Sequence, residues 1–159
     1  KKTDTGRAVY GGGGIAPDEV VNAKLISPGQ RRLVSPIFAF SRELVNGRIN
    51  GFDNYRVQQA IVFDHDLQTT DFGITDQLFR AFKEFVASDP NLKNVSSLIQ
   101  ANRPFVELQL RFNIVTAAYG RVMADRVFVT GDDQQVARAI EVVPRARDLA
   151  MSARQRTQP

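Results

Sequence analysis

From residue 30 onward the apolar residues of this chain recur at helical spacing, which limits it to a mainly helical fold. The clearest case is 76 to 87. Leu78, Phe79, Phe82, Phe85 and Val86 share one face, and Arg80, Lys83 and Glu84 share the wet one. Thr75 stands where an N-cap belongs, and Ser88-Asp89-Pro90-Asn91 stops the pattern. A short helix is expected over 92 to 100. A longer one runs from Asn102 to about residue 126, with Phe105, Leu108, Phe112, Val115, Tyr119 and Val122 on one face. Leu110, Ile114, Ala117 and Ala118 widen that face into an arc that predicts enclosure by other helices. Gly120 falls inside this pattern, at about 1 kcal/mol against alanine. Its expected use is close approach of a neighbouring helix.

Towards the N-terminus, Leu33, Val34, Ile37, Phe38, Ser41 and Leu44 mark a helix over roughly 30 to 45. It begins at Ser35 if Pro36 is to sit in a first turn. Residues 46 to 62 are mixed: NGRINGFDN has loop character, and YRVQQAIVF reads as either a helix or a strand. After Thr130-Gly131-Asp132 a last helix, about 133 to 153, carries Val136, Ile140 and Val143. Pro144 should kink it or split it, and the polar tail ARQRTQP should fray. The expected core is Phe38, Phe79, Phe82, Phe85, Leu108, Phe112, Val115, Tyr119 and Ile140.

Before residue 28 the composition changes. Residues 7 to 10 (RAVY) and 19 to 26 (EVVNAKLI) read as short strands on either side of Gly11 to Gly14, and Ser27-Pro28-Gly29 breaks the chain. The expected fold is therefore mainly α, a helical domain with a short N-terminal β-hairpin over 7 to 21, or α+β by strict count.

Several function classes drop out. With no cysteine there are no disulfides, zinc ribbons or thiol nucleophiles. No apolar run approaches the roughly 18 residues of a membrane span, and the opening KKTDTGR is not a signal peptide. The net charge is +4, with sixteen arginines to five lysines. The arginines alternate with acids, as in SRELVNGR and RARDLAMSAR, without the dense stripe that tracks phosphates. No nucleic-acid partner is expected; an anion or nucleic-acid binder is the third reading, and it requires steep salt dependence.

The four glycines invite a phosphate-loop reading. Such a loop needs a helix N-terminus behind it, and here Ile15-Ala16-Pro17-Asp18 and a Val-rich strand follow. A tight turn is the better account: Pro17 fixes the chain direction and the Asp18 carboxylate bonds nearby backbone N–H groups. No cofactor and no small-molecule ligand are expected. Asp64-His65-Asp66 holds the one histidine. In an extended segment the two carboxylates point one way and the imidazole the other, so a solvated loop is expected and no metal site. No serine lies in a Gly-x-Ser-x-Gly turn, and Ser96-Ser97 reads as helix capping or surface. Arg145, Arg147, Arg154 and Arg156 read as a solvated face or tail; the alternative is contact with anionic lipid or an acidic partner.

The stretch from Gly6 to Asp18, a glycine followed by RAVYGGGGIAPD, resembles the carboxyl-terminal processing peptidases, or tail-specific serine proteases. That family carries a Gly-Arg, a short β run, a glycine turn and then Gly-Ile-x-Pro-Asp. The matching residues are Gly6, Arg7, Gly11, Gly12, Gly13, Gly14, Ile15, Pro17 and Asp18. Phe38-Ala39-Phe40, Phe79 to Phe85, Ala118-Tyr119-Gly120 and Asp132-Asp133-Gln134 with Ala137 and Ala139 are similar to its apolar and helical marks, more loosely.

The resemblance implies a serine nucleophile and a lysine base, both upstream of the Gly-Arg. Lys1 and Lys2 do not match the lysine's Gly-Lys-Gly-like context, so no residue here inherits a catalytic role. The peptide-recognising PDZ domain is also missing. The chain thus looks like a C-terminal piece: 1 to 27 the tail end of the protease core, 28 to 159 a helical domain that braces it and brings protomers together. Its implied partners are the rest of that core and a second copy. The parent would be an exported serine endopeptidase of the periplasm or envelope, cleaving near protein C-termini. The alternative is a stand-alone helical interaction module.

Overall fold

The structure, a computed structural model, describes residues 17–131 and 133–157 with Lys2, Thr3 and Gly6, and backbone alone at 130, 156 and 157. Six α-helices fall among the described residues: α1 Pro28–Val45, α2 Asp76–Ser88, α3 Lys93–Ala101, α4 Arg103–Tyr119, α5 Arg121–Gly131 and α6 Gln134–Thr157. Single 3-10 turns occupy Asp53–Tyr55 and Pro90–Leu92. The chain divides into two units, Leu25–Asp133, and Lys1–Lys24 with Gln134–Pro159.

In the larger unit, α1 starts at Ser27, whose hydroxyl accepts from the Gln30 N–H while the Gln30 side chain accepts from the Ser27 N–H. This reciprocal cap satisfies two N–H groups that the first turn leaves over. Pro28 fits the first turn, where no N–H is needed. Leu33, Pro36, Ile37, Phe40, Ser41 and Leu44 form the buried face. The helix runs through Pro36 and starts a full two turns before Ser35. The buried Ser41 hydroxyl donates to the Ile37 carbonyl (2.8 Å) and accepts from Asn113 on α4 (3.3 Å).

Helix α2 matches its expected span, and Thr75 Oγ1 caps it by accepting from the Leu78 N–H at 3.1 Å. Phe40 meets Phe82 and Phe85 edge-on, with ring centroids 5.5 and 5.4 Å apart. Ile99 of α3 and Val106, Leu110 and Ile114 of α4 close this core.

The long helix expected to about residue 126 is two helices. Gly120 ends α4 at φ +83° and ψ 169°, and α5 folds back along α4. Phe112 and Phe128 meet in a tilted pair, with ring centroids 4.7 Å apart. One turn further out, a Cβ on Gly131 would sit 2.8 Å from Leu108 Cδ1, so the Leu108 side chain packs against the glycine. Phe112, Val115, Met123, Ala124 and Val127 form a second core cluster along this seam. The close neighbours of Gly120 are Phe63 and Ile61, not a helix.

The expected hairpin is contradicted: among the described residues there is no strand, and those residues are mainly helical. The first arm, 7 to 10, and Gly11 to Gly14 lie outside the described residues. The second arm, 19 to 26, is irregular, and within the smaller unit α6 side chains hold it at Glu19 and Val21. Gln135 Nε2 donates to the Val21 carbonyl (2.8 Å), and Glu19 bridges Arg138 (3.0 Å) and Arg145 (3.2 Å). Seven residues make two helical turns, which puts both arginines on one face. A strand is defined by its ladder, and Val-rich sequence without a partner edge does not become one.

Residues 56 to 62 are neither helix nor strand: the Val57 N–H donates to the Val45 carbonyl and the Val62 N–H to the Ala118 carbonyl. α6 passes through Pro144 unsplit. Two expected core residues are outside: Phe38 is 59% exposed and Ile140 68%.

Candidate functional site

Of the motif residues, Arg7, Gly11, Gly12, Gly13, Gly14 and Ile15 lie outside the described residues. Gly6 adopts φ +82° and its N–H donates to the Thr3 carbonyl at 2.8 Å, a turn that favours glycine. Pro17 and Asp18 are exposed and lead directly into the Glu19 anchor.

The larger unit carries a cleft of about 560 Å³, lined by Asn54, Tyr55, Asp71, Phe72, Thr75 and Tyr119 among others. It is built where the segment before α2 crosses the end of α4. Arg111 fixes the crossing: its Nε donates to the Asp71 carbonyl (2.9 Å) and its Nη2 to the Gln68 carbonyl (2.6 Å). Asp71 Oδ2 accepts from the Gln68 N–H (2.8 Å) and lies 2.7 Å from His65 Nε2. The imidazole stacks on Tyr119, centroids 3.8 Å apart and planes 18° off parallel. Phe72 has φ +51°, alone among the described non-glycine residues in being positive. Its ring lies between Tyr119 (5.7 Å) and Tyr55 (6.4 Å), whose hydroxyl donates to the Gly73 carbonyl at 2.5 Å.

The charges follow from these contacts. Burial pushes the Asp71 carboxyl up, but the His65 hydrogen bond, the Gln68 N–H and the nearby His65 and Arg111 charges outweigh it, so Asp71 ionises below its ordinary value. Burial, and then the Asp71 charge, hold the Tyr119 phenol above its usual value. Burial does the same for Tyr55, against hydrogen bonds to Thr75 and Asn54. The strained Phe72 and these shifted groups mark the cleft as the place to look for binding.

Chemically this is a clamp. His65 has a carboxylate that orients it and an aromatic face that covers it, and general-base work would need a proton to be taken within about 2.6–3.2 Å. The solvated loop expected at 64 to 66 is exposed at Asp64 and Asp66, whereas His65 is half-buried. Asp66 turns to Gln68 (3.1 Å) and towards Arg126 (3.7 Å), away from any ligand set with His65. Among the described residues no three His, Asp or Glu side chains converge to hold a metal. Several serine hydroxyls are occupied locally: Ser27 caps α1, Ser41 and Ser88 donate to Ile37 and Phe85 carbonyls, and Ser152 donates to Asp148.

Sequence reasoning did not find Asp71, Arg111 or Tyr119 as partners of His65. The signal for one of them was there: a half-buried arginine set between Leu110 and Phe112 in an apolar arc needs acceptors. No family model, curated protein or solved structure matches this chain.

Proposed function

We propose that the chain is the non-catalytic C-terminal region of a carboxyl-terminal processing serine peptidase, bracing the catalytic core and bringing protomers together. The observation that carries this reading is the Gly-Arg, glycine-turn and Ile-Ala-Pro-Asp pattern of residues 6 to 18, with a helical region behind it. The parent would be an exported serine endopeptidase that supplies both serine and lysine from its upstream part.

The test begins with the reading frame upstream of Lys1, which should encode a serine and a lysine in a Gly-Lys-Gly-like segment. The parent should then cut unstructured peptides with apolar C-termini, while residues 1 to 159 alone do not. Robust serine-type cleavage by this chain, or a frame without those segments, rejects the proposal.

One observation favours a second reading, a stand-alone helical interaction module. Leu33, Ile37, Phe40, Leu78, Phe82 and Ile114 are wholly buried, and all belong to the unit Leu25–Asp133. On this reading, deletion of residues 1 to 23 leaves a monodisperse, cooperatively melting remainder. An aggregating remainder supports the severed-core reading instead.

A further inference from the structure

Helix α6 is 24 residues long, yet between 137 and 155 Val142 alone is even half-buried. Helices in proteins owe most of their stability to packing of an apolar face, so a helix this bare is built to be covered. Ile140, Val143 and Met151 are 68, 60 and 50% exposed, and Arg147 is exposed among them. At 3.6 residues per turn these four positions fall within about 80° of arc. Arg138 and Arg145 point to the other side, where Glu19 engages them. Glu141 and Asp148 lie beyond the edge of the arc, so its only charge is positive. Over the whole helix five arginines face two acids.

We infer that α6 is an interfacial helix that lies on an anionic lipid bilayer, with the Ile140–Val143–Met151 stripe in the acyl boundary and Arg147 at the phosphates. Charge complementarity selects this occupant. Two copies packed stripe to stripe would bring Arg147 into an interface that supplies no acid within the arc. A bilayer takes an arginine within an apolar stripe readily, because its stem stays in the apolar layer while the guanidinium reaches the headgroups. The stripe has no aromatic residue and only three large apolar side chains, so neutral lipid alone offers too little. Binding of such helices adds apolar burial to attraction by anionic headgroups.

The test is flotation of the full chain with vesicles of phosphatidylcholine alone and with an equimolar phosphatidylcholine–phosphatidylglycerol mixture. Flotation with the mixture only is expected, fading between about 0.1 M and about 1 M salt as the screening length shrinks to roughly 3 Å. Arg147→Gln should weaken it about fivefold, the effect of one basic residue near an anionic surface. Ile140→Asp should abolish it without changing the melt of the buried core, since Ile140 is exposed. No flotation with the mixture, or equal flotation with both vesicles, overturns the inference. So does a lipid-free dimer that Ile140→Asp disperses, which would make the stripe a self-interface. Capture of polyglutamate through Arg147 without vesicle binding would likewise overturn it in favour of an acidic protein.

Discussion

Replacing Gly120 by alanine separates two accounts of the same residue by the sign of the result. Inside a continuous helix, as the periodicity suggests, alanine should stabilise by about 1 kcal/mol. In the structure Gly120 has φ +83° and ψ 169°, a region open to glycine and costing other residues about 1–3 kcal/mol. A Cβ there would also lie 3.1 Å from two carbons of the Phe63 ring and 3.4 Å from Ile61. Phe63 is 72% exposed, so its ring can swing away and the backbone carries most of the cost. The assay is urea unfolding followed by far-ultraviolet circular dichroism, because the chain has no tryptophan. With m of about 1–3 kcal/mol/M, a loss near 2 kcal/mol lowers the midpoint by about 1 M. The loss should persist when Gly120→Ala is made in a Phe63→Ala background. An unchanged or raised midpoint refutes the hairpin turn, and full recovery in the Phe63→Ala background would assign the cost to crowding by the ring.

Other expectations follow from single contacts. Phe82→Ala empties a fully buried site beside Phe40 and should cost about 3–5 kcal/mol, whereas Phe38→Ala should stay within about 0.5 kcal/mol; equal losses in thermal melts would contradict the burial pattern. Thr75→Ala removes the α2 cap and should cost about 1 kcal/mol, with Thr75→Ser nearly silent; a large loss in the serine variant would show that the methyl group matters more than the hydroxyl. Asp71 ionises below its ordinary value in the folded chain, so its contribution is fully present above the unfolded carboxyl value of about 3.9 and is lost as pH falls through the folded one. The stability gap between the chain and Asp71→Asn should therefore close on acidification; a gap constant with pH would mean that the carboxylate charge plays no part.

What the sequence disclosed was local. α2 was legible because everything that defines it sits within sixteen residues: Thr75 to cap it, five apolar residues in phase, and Asp89-Pro90 to stop it. The turn at Gly120 was not, because its only signal is one glycine. Helices α4 and α5 are both amphipathic, and the residues around 120 keep the apolar spacing going across the break. Periodicity records which side of a chain is apolar; it does not record that the chain has reversed direction. The cleft was hidden for a different reason. His65 finds Asp71 six residues on and Tyr119 fifty-four residues on, and only the crossing fixed by Arg111 brings them together.

Phe38 shows why apolar character alone does not place a residue. The buried face of α1 runs through Leu33, Pro36, Ile37, Phe40, Ser41 and Leu44. Phe38 is one residue past Ile37, about 100° further round the helix. Helices α2, α3 and α4 all pack on α1, yet their shared side stops short of that position. A phenylalanine there gains nothing from the core, while a serine three residues on is buried because Ile37 and Asn113 supply its hydrogen bonds. Which apolar residues enter a core is settled by the number and placement of neighbouring elements, and polar residues enter with them wherever a partner is already in place. The same reasoning governs residues 19 to 26. Their valines carry strand propensity, but Gln135, Arg138 and Arg145 reach Val21 and Glu19 with side chains and offer no backbone edge, so the start of the segment is tied to α6 without forming a strand.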